Sequence, residues 1–135
     1  MANLLYDTFK EGLLNKLFDM DTDVQNAALI DGDDYTFSAA HDSYDNTPTG
    51  DVPAAAKVAN FVLGTLSITN GVFDSADFTW ASVSGDQSEE IILWDDTPAN
   101  NQLVANYDTG MSGMPVTPNG GDINVTVNGS GWFSL

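Results

Sequence analysis

The chain has 135 residues, with 20 acidic side chains against three basic ones, a formal net charge of -17 and a pI of about 4.1. It has no arginine, its lysines are Lys10, Lys16 and Lys57, and the carboxylates beyond residue 57 (Asp74, Asp77, Asp86, Glu89, Glu90, Asp95, Asp96, Asp108 and Asp122) have no cation among them. This balance excludes direct nucleic-acid binding, which needs Lys or Arg on phosphates, adhesion to an anionic membrane surface, and arginine-fork capture of phosphate or carboxylate substrates.

The remaining composition is that of a folded domain. Hydrophobic residues make up 42% and aromatics 10%, above the range of charge-driven disorder. Cysteine is absent, so disulfides and thiolate metal sites are excluded. The longest purely aliphatic or aromatic run is Ile91 to Trp94, far short of the ~20 residues of a membrane helix. Asp7, Lys10 and Glu11 interrupt the first apolar stretch, which does not read as a signal peptide.

Residues 2–18 are predicted as an amphipathic helix. Leu5, Phe9, Leu13 and Leu17 recur every four residues, while Leu4, Leu14 and Phe18 lie on a different side. A helix that is apolar on two sides touches two things. Either it lies in a groove of its own domain, or it is an arm with one side on its body and the other on a partner. Asp19 to Asp23 ends it, which sets an N-terminal helical arm at 1–23 and one β domain at 24–135.

Val24 to Ile30 reads as the first strand. A long loop follows at 31–56, non-periodic over 35–53 and containing His41 and Tyr44. Unstructured stretches of this length inside a domain usually contact something. Lys57 to Leu63 and Thr65 to Thr69 are strand-like, with a candidate bulge at Gly64. Asn70-Gly71 predicts a type I′ hairpin turn into Val72-Phe73. Phe78 to Val83, Glu89 to Trp94 (the most apolar, and expected to be central), Gln102 to Tyr107, Ile123 to Val127 and Trp132 to Leu135 complete the strands. Seven or eight short strands with frequent turn signals indicate an all-β fold, a β-sandwich or jelly-roll-like domain in which each sheet buries one face.

Catalytic signals are weak. His41 is the only histidine, beside Asp42 and Ser43, but sequence neighbours do not build a triad and no nucleophile elbow is present. It reads as an exposed loop histidine. Glu89 and Glu90 alternate on a strand, so they cannot flank one glycosidic bond, and they read as a solvated strand start. Asp19-x-Asp21-x-Asp23 begins like an EF-hand loop, yet Val24 and Ile30 stand where glycine and glutamate are required. Those aspartates, Asp31, Asp33 and Asp34, and the pair Asp95 and Asp96 read first as turn and capping residues. No cofactor is expected. An adventitious or stapling divalent cation stays open.

Several segments are familiar as an ordered set. They are Met1-Ala2-Asn3-Leu4-Leu5-Tyr6 with Lys10, Leu13 and Leu14, then Gly71-Val72-Phe73-Asp74-x-x-Asp77-Phe78-Thr79-Trp80. They continue with Trp94-Asp95-Asp96-Thr97, Leu103-Val104-Ala105-x-Tyr107-Asp108 and Pro118-Asn119-Gly120-Gly121-Asp122-Ile123-x-Val125. Together they resemble small virion structural proteins of tailed bacteriophages, with region 31–56 departing most. The resemblance implies a non-enzymatic virion protein, a capsid cement or decoration protein made in the bacterial cytoplasm and placed on the outer capsid surface. Its implied partners are the major capsid protein and copies of itself, as a homotrimer, with no nucleic acid and no membrane. Contacts are expected from Leu4, Leu5, Phe9, Leu13, Leu14, Leu17 and Phe18 of the arm and from His41 and Tyr44 of the loop. A tail or neck protein of the same virion is one alternative. A carbohydrate-binding β-sandwich presenting Trp80, Trp94, Trp132 or Tyr107 is another.

Overall fold

The computed structural model describes residues 4–45, 50–97, 101–108 and 113–135. In chain order the elements are β1 (Leu4–Leu5), α1 (Asp7–Leu14), β2 (Gln25–Ile30), a single 3-10 turn (Ala54–Ala56), β3 (Lys57–Val62), β4 (Ser67–Thr69), β5 (Val72–Asp74), β6 (Phe78–Trp80), β7 (Glu90–Asp95), β8 (Gln102–Tyr107), β9 (Ile123–Val125) and β10 (Phe133–Ser134). The protein is mostly β with one short helix. All strand pairings are antiparallel. They form a five-stranded sheet in the order β1-β8-β7-β2-β3, a three-stranded sheet β10-β5-β4, and a two-stranded sheet β6-β9.

The centre of the large sheet follows from two apolar runs, Ala27 to Ile30 and Ile91 to Trp94. Every residue of β2 and β7 is buried. Strand residues alternate between faces, so both faces of this sheet are covered, and the expectation of one buried face per sheet does not hold here. Continuous apolar runs are what doubly covered strands require. On one face Trp94 lies opposite Asn26, and Tyr44 from the 31–56 loop stacks on Trp94 with ring centroids 4.4 Å apart. On the other face Phe61 lies opposite Ala27. Phe78 of β6 stacks on Phe61 at 5.0 Å, and Trp80 donates its Nε1–H to the Ala27 carbonyl at 3.3 Å.

The N-terminal prediction is corrected. Leu4 and Leu5 are extended and pair with Asn106 and Ala105 of β8, and the helix runs only from Asp7 to Leu14. Asn15 leaves the helix and Lys16 takes a left-handed conformation (φ 61°). The four-residue spacing thus spans three conformations, with Leu5 before the helix and Leu17 after it. The edge of β8 needs a strand partner, and Leu4-Leu5 supplies it. Tyr6 and Phe9 are fully buried, and Phe18 and Met20 nearly so. Gly12 is required because a Cβ there would collide with the Phe18 ring.

Other boundaries moved slightly. Asn70 (φ 54°) and Gly71 (φ 78°) form the predicted turn between β4 and β5. Ser82, also at positive φ (52°), cuts β6 short of Val83. The irregular pairings fall at Leu29/Ile30 and Leu93/Trp94, and Gly64 lies past the end of β3 rather than forming a bulge. In the long loop the described residues contain one isolated bridge, Ser43 to Gln102, on the same edge of β8 as β1.

Candidate functional site

The residues proposed as partner contacts divide into two groups. Phe9, Phe18 and Tyr44 are core residues, so they are corrected: their rings are spent on Phe133 and Phe18, on Phe9, and on Trp94 respectively. Leu5 and Leu13 are half-buried against the core. Leu4, Leu14 and Leu17 are 42%, 87% and 45% exposed. These three leucines form the outward part of a segment whose remaining apolar residues are locked inside.

His41 is not an idle exposed side chain. It is half-buried, its Nδ1 lies 3.0 Å from the Tyr35 hydroxyl, and its carbonyl accepts the Thr8 hydroxyl at 3.0 Å. Tyr35 in turn meets the Tyr6 hydroxyl at 2.8 Å. Burial pushes the Tyr35 hydroxyl up to about 12 and raises Tyr6 further, so both stay neutral at physiological pH. Glu90, expected at a solvated strand start, is buried and accepts the Asn106 amide at 2.8 Å. Its carboxyl is raised above the ordinary range by burial, with Asp108 and Glu89 adding repulsion. The result is a polar seam that ties the helix and the long loop to the sheet.

The aspartate clusters serve turns. Asp23 accepts the Asp19 amide at 2.8 Å, Asp31 the Asp33 amide at 2.9 Å, and Asp95 the Thr97 amide at 2.8 Å, the local bonding that makes Asp a turn residue. Asp51 accepts the amides of Asp42 and Ser43 at 2.7 and 2.9 Å. Burial opposes its ionisation, but those amides hold it below its usual value. Among the described residues no group of three or more carboxylates and histidines is placed to hold a metal ion.

Tyr44 has a second partner that sequence reading missed. The Lys57 ammonium sits 4.3 Å from its ring centroid and 3.3 Å from Asp45. Tyr44 is therefore clamped between an indole and a cation. The aromatic residue types and the lysine were visible in the sequence, but their pairing depends on how the 31–56 loop returns.

Of the four aromatics considered for sugars, Trp94 lies under Tyr44 and Trp80 is buried. Trp132 and Tyr107 are half-buried, with rings 5.5 Å apart. Along with Trp80 they line an open cavity of about 790 Å³ shared with Ile123 to Ser134. It occurs where the two smaller sheets fail to join: among the described residues β9 pairs only with β6 and β10 only with β5.

No helix of the described residues is long and apolar enough to cross a membrane. Neither a protein-family model nor a curated protein matches the chain.

Proposed function

We propose that this protein is a non-enzymatic structural component of a tailed-phage particle, a cement protein seated on the outer face of the capsid as a trimer. The observation that carries the reading is the exposure of Leu14, Leu17 and Leu4 on a segment otherwise held in the core. Leu14 is a large apolar side chain presented almost entirely to water, at the end of a helix whose Phe9 is fully buried. A rigidly mounted apolar group suits docking, because little side-chain and loop ordering remains to be lost on binding. The acidic surface supports the outward placement, since it would be repelled by packaged DNA. The body is read as sandwich-like, with the two small sheets layered on one face of the large one through Phe61, Phe78 and Trp80.

Truncating the N-terminus would remove Tyr6 and Phe9 from the core, so the test uses point substitutions. Purified wild type and the Leu14→Asp/Leu17→Asp variant are co-sedimented with capsids lacking the protein. The variant should keep the wild-type circular dichroism spectrum and bind at least tenfold more weakly. Equal occupancy would refute the docking role. Quantitative mass spectrometry of particles separates a shell protein, present in hundreds of copies, from a neck or tail ring with a handful.

A further inference from the structure

The cavity between the two small sheets carries a second, independent inference, which stands whether or not the protein belongs to a virion. In a chain with 20 carboxylates, not one charged side chain lines it. The three aromatic residues on its wall have their polar tips turned away. Trp132 Nε1 donates to Ser75 Oγ at 2.8 Å, the Tyr107 hydroxyl donates to the Trp132 carbonyl at 2.8 Å, and Trp80 Nε1 donates to the Ala27 carbonyl. What these rings offer the cavity is carbon surface. The amide and hydroxyl side chains of Asn124, Thr126, Asn128 and Ser130 lie along the same cavity and are exposed.

We propose that this cavity is a binding site for a neutral oligosaccharide. Aromatic carbon surface suits the C–H face of a sugar ring, and uncharged amides and hydroxyls suit its hydroxyl edge. The volume lies within the range of small-molecule sites, roughly 300–1,000 Å³. Neutrality of the lining matches a neutral ligand, and the surrounding negative field would turn away an anionic one. An added peptide strand is the competing occupant. It is disfavoured because the unpaired edges span only three residues in β9 and two in β10, and main-chain hydrogen bonds supply the affinity in strand addition.

The test titrates the isotope-labelled full chain with cellotriose, maltotriose and tri-N-acetylchitotriose, following amide shifts by NMR. A trigalacturonate and a short uncharged Val/Thr peptide are the comparison ligands. At least one neutral trisaccharide should move the amides of residues 123–134 and the Trp132 indole, and trigalacturonate should not. Thr126→Ala, an exposed and structurally mild change, and Trp132→Ala should each weaken binding at least fivefold. Thr126→Ala keeps the test decisive if Trp132→Ala fails to fold. No shift with any of the three neutral sugars, shifts with the peptide alone, or unchanged affinity in Thr126→Ala would each overturn the proposal.

Discussion

Asp95 is a carboxyl in an unfavourable place. It is completely buried, accepts the Gln25 amide at 2.6 Å, and faces Asp23. Burial, joined by repulsion from Asp23, pushes it up to about 6 against the hydrogen bonds from Thr97 and Gln25. The sign follows directly. Below its ordinary value of 3.8 both folded and unfolded chains hold the proton, and the group contributes nothing. Between 3.8 and about 6 the folded chain keeps a proton that the unfolded chain has lost. Above that range the folded protein carries a buried carboxylate at a cost on the order of 3 kcal/mol. Stability should therefore fall as pH rises from 4 to 7, the reverse of a salt-bridged aspartate. Glu90 shifts in the same direction for the same first cause. Urea melts at pH 5 and pH 7 check this, and Asp95→Asn should shrink the difference between them. Gln25 Oε1 is buried without a partner, and a half-turn of its amide would let it accept from the new Asn. An undiminished pH slope in Asp95→Asn would place the effect elsewhere.

At the scale of elements, the 31–56 loop is held less by backbone than by one clamp. Tyr44 lies between Trp94 and the Lys57 ammonium, and the described loop has a single β-bridge. Tyr44→Ala should cost about 3 kcal/mol, the low end for removing a buried aromatic ring. Lys57→Met keeps the aliphatic stem and deletes the cation, so about 1 kcal/mol is expected. The double variant should lose less than the sum, because both act through one ring. Strict additivity in chemical denaturation would show that the cation does not act through Tyr44. The strands around this clamp were legible because their signals are local: alternation in β9, an Asn-Gly turn after β4, continuous apolar runs in β2 and β7. The N-terminal element was overextended because a regular leucine spacing looks the same whether the chain is helical throughout or changes conformation at Tyr6 and Asn15. The His41–Tyr35–Tyr6 seam and the Tyr44 clamp were not legible, because their partners are distant in sequence and meet only when the loop closes. The sugar-lined cavity escaped for a related reason. It exists because β9 and β10 do not pair, and a missing pairing has no sequence signature.

For the molecule as a whole, charge is a liability that salt relieves. Seventeen net negative charges on an exposed surface of 6936 Å² average roughly 20 Å apart, against a Debye length of about 8 Å at physiological ionic strength and about 30 Å at 0.01 M. Most pairs therefore repel in dilute buffer and are screened in salt. Cations do little internally, since Lys10 pairs with Asp7 on the surface and Lys57 is committed to the loop. Raising NaCl from about 0.01 M to about 0.15 M should stabilise the fold by about 1 kcal/mol, a rise in Tm of about 4 °C. A cation staple would behave differently, responding to one divalent ion at low concentration and not to ionic strength. The carboxylates of Asp23, Asp31, Asp51 and Asp95 already accept main-chain amides, so each has part of its coordination capacity used within its own turn. Melts in MgCl₂, CaCl₂ and NaCl at matched ionic strength should therefore superimpose. A further rise of several degrees with calcium alone would identify a bound ion and show that one of these turns is a site.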